Sequence, residues 1–234
     1  MLRSIKQLYG DKLSAVDGEI GHVKDFYFDD QNWAIRYLVV DTGTWLTGRQ
    51  VLISPHSRDG LAASGKLVRA NLTRQQIQNS PTIEAHKPVS RQFEEEYFRY
   101  YNWQGYWQGD GLWGVSAFPI MEPPPESSVT TSAGGTLETG EDAHLRSAKA
   151  VTGYLLKRGE ETVGHVSDFM IDAESWAIGQ FAVKTGHRFS GKEILIATKL
   201  VQRMSYEESI VYLYPTEDAA DQSTPQPVAT AAPV

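Results

Sequence analysis

Short apolar stretches, each ending at a glycine or a polar turn, follow one another along residues 13–70. They are rich in Val, Ile, Phe, Tyr and Trp, and such residues in short, regularly spaced runs favour β-strands. The stretch Trp33–Asp41 is apolar on both faces, as expected of a central strand. The predicted strands are Leu13–Val16, Ile20–Phe28, Trp33–Asp41, Gln50–Ser54 and Lys66–Ala70. Their spacing predicts a small β-barrel or sandwich.

The same pattern returns 143 positions later in the chain. Gly21–Ile53 aligns without a gap to Gly164–Ile196, with fifteen identities in thirty-three positions. The match reaches back to the start of each copy, where Leu2–Ser4 aligns with Leu145–Ser147. The predicted strands of the second copy are Leu155–Lys157, Thr162–Ile171, Trp176–Lys184, Glu193–Ala197 and Ser209–Tyr214. A domain-sized internal duplication predicts two small domains of similar fold.

Two segments outside the strands carry helix signals. Thr73 with Gln76 three residues later forms a capping box for a short helix within Leu72–Ser80. Ser90 is a candidate N-cap for a second helix, Ser90–Trp103, in which aromatic residues recur at helical spacing. The two helices are therefore predicted on the C-terminal side of the first set of strands.

These patterns divide the chain into five segments. Residues 1–86 and 144–216 are the two repeats, and residues 87–118 form an aromatic and acidic helical segment. Residues 119–143 are a flexible linker, because Pro, Ser, Thr and Gly dominate Pro123–Gly140. Residues 217–234 are a disordered tail. The predicted fold class is all-β in the main, with two small barrels and short helices between them.

Charge and composition narrow the classes of function. The net charge is -7, and nine acidic against three basic side chains lie between residues 87 and 143. A nucleic-acid-binding protein presents a basic face, so no nucleic-acid partner is expected. The absence of cysteine excludes disulfides and thiolate chemistry. No apolar run approaches the roughly 20 residues of a membrane span, and no secretory signal is visible, so we expect a cytoplasmic protein without a transmembrane segment.

Three motifs of the repeat carry a family resemblance. They are Gly18–Val23 with Asp25 and Phe26, then Trp33–Gly43, then Gly48–Ile53. This stretch resembles the PRC-barrel family, small β-barrels known from the cytoplasmic domain of the photosynthetic reaction-centre H subunit and from the C-terminal domain of RimM. The second copy departs from the motif, with Gly179 at the position of Arg36 and Lys184 at that of Asp41. Residues Lys87–Gly114, with VSRQFEEEYFRYYNW and GLWG, also resemble stand-alone bacterial members with two such barrels. The family resemblance implies no shared catalytic residues.

Positions shared by the two copies supply both the predicted core and the candidates for a metal site. The core positions are Gly21, Val23, Phe26, Trp33, Leu38, Val40, Gly164, Val166, Phe169 and Trp176. The repeated potential ligands are His22, His165, Asp25, Asp29, Asp168 and Asp172. They lack the spacing of a known metal motif, so surface histidines and turn-capping carboxylates are the preferred interpretation. We predict no metal and no cofactor, while a metal or small molecule between the barrels stays open as an alternative.

The aromatic segment is the strongest functional candidate, because Tyr and Trp are enriched where proteins meet partners. The candidate interaction surface consists of Phe93, Tyr97, Phe98, Tyr101, Trp103, Tyr106, Trp107 and Trp113. The alternative is that this segment packs on its own barrels. No phosphate-binding loop, nucleophile elbow or zinc motif is present, so no enzymatic activity is expected.

We therefore expect a non-enzymatic scaffold or protein-interaction module. By resemblance, it would be accessory to a membrane-associated complex such as a photosynthetic reaction centre, in an electron-transfer context and with peripheral association. Two alternatives stay open: a ribosome or RNA-processing accessory protein, and a small-molecule or metal-binding protein that uses the inter-barrel cleft. The expected partner is a protein, and a homodimer is one of the options.

Overall fold

The computed structural model describes residues 1–57, 67–82, 89–119, 145–186 and 191–215. Within these ranges the chain is mainly β, with two sheets and a few short helices, which confirms the predicted fold class. The predicted linker Pro123–Gly140 and the predicted tail 217–234 lie outside the described residues. No helix in the described ranges is long and apolar enough to cross a membrane.

The described residues of the first half of the chain contribute six strands. They are β1 (Leu2–Ser4), β2 (Lys12–Ala15), β3 (Gly18–Asp29), β4 (Ala34–Asp41), β5 (Gln50–Ile53) and β6 (Leu67–Arg69). Five of these lie in the order β5-β4-β3-β2-β6, antiparallel except for the parallel pair β2 and β6. Each strand predicted here from the apolar pattern is present.

The second half of the chain repeats this arrangement. Its strands are β7 (Leu145–Ser147), β8 (Leu155–Arg158), β9 (Glu161–Asp172), β10 (Ile178–Lys184), β11 (Glu193–Ala197), β12 (Val201–Ser205) and β13 (Ile210–Leu213). The order is β11-β10-β9-β8-β13-β12, and β8 and β13 are the parallel pair. Leu155 opposes Ile210 as Lys12 opposes Leu67, so the register repeats at the offset of the sequence alignment. Strand β12 was not predicted from the pattern.

The two copies exchange their first strands. Strand β1 pairs with β9 of the second copy, and β7 pairs with β3 of the first copy. Each exchanged strand is held by an aspartate of the copy that receives it. Ser147 Oγ donates to Asp25 Oδ2 at 2.5 Å, and Ser4 Oγ donates to the equivalent Asp168. Each copy therefore completes the sheet of the other.

The turns before β4 and β10 meet at the centre of the molecule. Ile35 N donates to Trp176 O at 2.9 Å, and Ile178 N donates to Trp33 O at 2.6 Å. Both tryptophans have left-handed backbones, with φ of 52° and 60°. One hydrophobic core runs across this seam. Because strands and core are shared, the two copies form a joint structure.

The glycine that opens the repeated stretch is required by close approach of the backbone. A Cβ atom on Gly21 would lie 2.0 Å from Asp41 O, and one on Gly164 would lie 2.3 Å from Lys184 O. No side chain fits at such distances, which explains why glycine stands at this position in both copies.

Three α-helices accompany the sheets in the part of the chain that the structure describes: α1 (Arg74–Gln78), α2 (Arg91–Tyr101) and α3 (Ala148–Val151). Helix α1 begins with the predicted capping box of Thr73 and Gln76, and Ser90 is the N-cap of α2, as predicted. Ser147 caps α3 by accepting a hydrogen bond from Ala150 N at 3.0 Å. The local capping signals in the sequence are thus confirmed.

Candidate protein-interaction site

Helix α2 places the aromatic segment against the first sheet. Ser90 Oγ accepts from Phe93 N at 3.2 Å and fixes where the helix begins. Asn102 adopts a left-handed conformation and ends the helix, so that Trp103 N donates back to Phe98 O at 2.9 Å. Beyond the helix, Tyr106, Trp107, Leu112 and Trp113 also pack in or against the hydrophobic core.

A tyrosine of α2 binds the free edge of β5. The Tyr97 hydroxyl donates to Leu52 O at 3.0 Å and accepts from Ser54 N at 3.2 Å. Its side chain is completely buried. Edge strands expose unpaired backbone groups that invite further strands to pair with them. This hydroxyl therefore occupies part of the β5 edge as well as anchoring the helix.

A carboxylate of the same helix is buried beneath it. Glu94 Oε1 accepts from the hydroxyls of Tyr37 at 2.9 Å and Tyr106 at 2.8 Å, and Glu94 Oε2 lies 3.0 Å from Arg91. Burial raises the pKa of Glu94 to about 7, although the nearby arginines and hydroxyls act against that shift. Burial also raises the pKa of both tyrosine hydroxyls, so they stay protonated and continue to donate to Glu94.

A buried arginine joins the sheet to the aromatic segment. Arg36 on β4 is 1% exposed and forms an ion pair with Asp29 at 2.9 Å. It also donates to Leu112 O at 2.6 Å, and its guanidinium lies 3.8 Å from the ring centroid of Tyr106. Burial acts to raise the pKa of Asp29, but Arg36 and local hydrogen bonds outweigh it and the pKa is lowered. The charge of Arg36 is thus compensated on one side and covered by aromatic rings on the other.

A histidine lies inside the aromatic cluster. The His56 ring packs on Phe98, Trp103 and Trp113, with centroid distances of 5.3, 5.8 and 4.9 Å. Burial, with a contribution from Arg36, lowers its pKa to about 4. His56 is therefore neutral near pH 7 and acts there as a flat polar ring in the packing.

The aromatic segment also reaches the second copy. Trp113 Nε1 donates to Ser175 O at 2.7 Å, in the turn that carries Trp176. Trp176 is completely buried, whereas the equivalent Trp33 is only partly buried and stacks on Phe28. The other predicted core side chains, Val23, Phe26, Leu38, Val40, Val166 and Phe169, are buried.

The eight aromatic residues predicted to form an interaction surface divide into two groups. Tyr97, Phe98, Tyr106 and Trp113 are buried in the protein and do not lie at the surface. Phe93, Tyr101, Trp103 and Trp107 are partly exposed. Three further apolar side chains of the segment are more exposed: Tyr100 at 40%, Val115 at 73% and Phe118 at 47%. The segment thus has an inner, anchoring side and an outer side that meets solvent.

The repeated histidines and carboxylates do not come together as a metal site. His22 is exposed on β3 and His165 lies partly buried on β9. Asp29 and Asp172 cap the turns that follow their strands, as the sequence suggested. In the ranges that the structure describes, no group of three or more His, Asp or Glu side chains could hold a metal ion.

A cleft of about 310 Å³ lies between the copies. Its lining residues are Asp30, Gln31, Trp33, Val201, Gln202, Arg203 and Met204. One predicted tryptophan lines it, but neither of the two predicted histidines does. Asp30 in this lining forms an ion pair with Arg146 at 3.2 Å and accepts a hydrogen bond from the Tyr206 hydroxyl. These contacts join the two copies at the cleft.

The burial of Arg36 and Glu94 was not predicted from the sequence. Arg36 interrupts an apolar strand, which is a signal for a buried and paired cation. Glu94 shares a helix face with Tyr97, Phe98 and Tyr101, because residues three and four apart are neighbours on a helix. Both signals were present in the sequence, but neither reveals the partner.

The first copy of the repeat matches a known protein family. Residues 3–66 match the family model of the PRC-barrel domain. The second copy is not matched by that model. No curated protein matches the chain.

Proposed function

The first copy of the repeat is a PRC-barrel domain, and from this premise we propose that the chain is a non-enzymatic scaffold whose aromatic segment binds a protein partner. Domains of this kind are interaction modules and are generally non-catalytic. The proposal concerns the outer side of residues 87–118.

The observation that carries the proposal is the division of the aromatic segment into an anchored inner side and an exposed outer side. Buried Tyr97 and Glu94 hydrogen-bond to the first sheet, and Trp113 hydrogen-bonds to the turn before β10, which holds the segment in one position. Tyr100, Val115 and Phe118 then expose part of their apolar surface to solvent on this support, while the Tyr100 hydroxyl donates to Gln76 O. Rigid aromatic and aliphatic side chains lose little conformational entropy on binding, which suits them as anchors for a partner.

Charge gives the partner a chemical character. The segment between residues 87 and 143 carries nine acidic and three basic side chains. Five of the nine acidic side chains lie beyond residue 118, and Glu94 is buried, so the outer side of residues 87–118 is itself close to neutral. A mainly apolar protein surface complements it, whereas a nucleic acid does not. By the family resemblance we propose that this partner belongs to a membrane-associated complex, with the protein as a peripheral and cytoplasmic accessory.

The experiment compares proteins recovered with three tagged forms of the chain from its native cells. The test variant replaces Val115 and Phe118 with serine. This removes exposed apolar surface and leaves in place both the buried anchors and Tyr100, whose hydroxyl donates to Gln76 O at 2.9 Å. The matched control replaces Val16 and Tyr214 with serine. These two residues are exposed at 53% and 47% and lie outside the aromatic segment.

We expect the wild type and the control to retain the same partner and the test variant to lose it. All three should melt at similar temperatures, because exposed side chains contribute little to stability. Recovery of the same partner with the test variant would remove the outer aromatic side from the proposal.

A further inference from the structure

The edges formed by β5 and β11 occupy equivalent places in the two sheets, yet they differ in what covers them. In the first copy the Tyr97 hydroxyl binds Leu52 O and Ser54 N. The alignment places Leu195 and Ala197 at these positions in the second copy. Among the described residues, no hydrogen bond is made to this edge of β11.

The direction of the backbone groups of β11 follows from its pairing with β10. Thr185 N donates to Lys192 O, as Thr42 N donates to Arg49 O in the first copy. Backbone groups of alternate residues in an antiparallel strand point to opposite sides. Lys192, Ile194 and Ile196 therefore face β10, and the N–H and C=O groups of Leu195 point outward.

The residues of β11 also leave this edge open to pairing with another strand. Strand β11 reads Glu-Ile-Leu-Ile-Ala, with no proline, no lysine and no bulge in its pairing with β10. Ile194 and Leu195 are only partly buried, on opposite faces of the sheet. Proline, lysine and bulges protect many exposed edges, and β11 has none of them. Its one charged residue is Glu193 at its first position, where the carboxylate accepts a hydrogen bond from Ser167 Oγ at 2.7 Å.

We propose that β11 is a docking edge at which a second copy of this chain adds its own β11, antiparallel, across a two-fold axis. With Leu195 on the axis, Ile194 of one chain opposes Ile196 of the other on one face. Leu195 opposes its own equivalent on the other face. Glu193 opposes Ala197, so no like charges face each other. Cross-strand apolar pairs stabilise a sheet, and the strand is complementary to itself in this register.

The two-fold arrangement also limits the assembly. An isologous contact uses the same surface on both partners and is closed once it forms. At the equivalent β5 edge, the bonds of Leu52 O and Ser54 N to Tyr97 occupy groups that a further strand would need. Pairing through β11 therefore gives a dimer with one continuous sheet across the two chains, on a surface separate from the aromatic segment.

The test begins with the full chain. Sedimentation over a range of concentrations should show a monomer–dimer equilibrium. Hydrogen exchange should show protection of the Leu195 and Ala197 amides that grows with concentration. The Ser54 amide should be protected at every concentration, because Tyr97 binds it within the chain. A monomer at all concentrations, or a dimer without added protection at Leu195 and Ala197, would overturn the proposal.

Two charge variants test whether the dimer contact lies at Leu195 of β11. Leu195→Lys and Leu195→Glu each place like charges against each other on the axis, and each should raise the dimer dissociation constant about tenfold or more. An equimolar mixture of the two variants should restore the dimer, since the charges are then opposite. The control is Leu155→Lys, which changes an exposed leucine on the interior strand β8 and should leave the dimer unchanged. Failure of the mixture to restore the dimer, with both variants folded, would contradict the β11 contact.

Discussion

The two copies share a strand order and differ in what lies on the sheet. Strand β4 is buried along its length except at Asp41, whereas its equivalent β10 exposes Gly179 and Lys184. Arg36 and Tyr37 of the first copy contact the aromatic segment. The second copy has the small or polar Gly179 and Gln180 at these positions. Between residues 145 and 215, the described part contains no counterpart of α2.

The difference shows how duplicated strands acquired different environments with little change in backbone. The covered copy uses large and charged side chains, because a buried cation is tolerated only when it is paired and its hydrogen bonds are made. The uncovered copy uses residues that tolerate water. The family model matches the covered copy only, so the two copies have also diverged in sequence. The following predictions test this comparison.

The largest effect is expected from exchanging the residues at one equivalent position. Arg36→Gly leaves the carboxylate of Asp29 buried without its cation and should cost about 3–5 kcal/mol of unfolding free energy. Gly179→Arg should change stability by less than about 0.5 kcal/mol, because the site is exposed. A Cβ atom at Gly179 would lie 3.7 Å from Leu2 and meet nothing closer. Urea denaturation measures both, and similar costs for the two variants would contradict the comparison.

A pH-dependent effect of intermediate size should come from the buried carboxyl of the covered copy. The pKa of Glu94 is raised from 4.5 to about 7 in the folded protein. Its contribution to stability is therefore fully present below pH 4.5 and is lost as the pH rises through 7. As the pH rises from 4.5 to 7, the unfolding free energy of Glu94→Gln should increase relative to that of the wild type by on the order of 3 kcal/mol. One pKa unit corresponds to about 1.4 kcal/mol.

The control for that measurement is Glu96→Gln on the exposed side of the same helix. Denaturation curves of this control, taken at the same pH values, give the reference for removing an exposed carboxylate from the same helix. The comparison of variants is needed because the pKa of His56, lowered to about 4, makes stability rise with pH over part of the same range. A constant difference between Glu94→Gln and the wild type at all pH values would show that folding does not raise the pKa of Glu94.

The smallest effect concerns the feature that the two copies share. Ser4→Ala and Ser147→Ala each remove a hydrogen bond from an exchanged strand to an aspartate, and each should cost about 1.5–3 kcal/mol. If the exchange is equivalent in both directions, the two costs should be similar. Native-state hydrogen exchange should then show weaker protection in β9 for Ser4→Ala and in β3 for Ser147→Ala. Loss of protection within the mutated copy instead would be incompatible with strand exchange.

The sequence alone determined the parts of this protein that depend on local pattern. Runs of β-branched and aromatic residues predicted the main strands, and Thr73 and Ser90 predicted where two helices begin. The alignment of the two copies predicted one strand order used twice. Strand periodicity and capping act between residues close in the chain, so they can be read without knowing which distant segments meet.

Only the tertiary structure decided which copy receives which first strand, and which side of the aromatic segment is buried. Leu2–Ser4 and Leu145–Ser147 match so well in sequence that each could join either sheet by pattern alone. Arg36 and Glu94 are ordinary charged residues until Asp29, Tyr37 and Tyr106 surround them. Such partners lie far apart in the chain, and their pairing depends on burial and hydrogen-bond geometry that exist only once the sheets have formed.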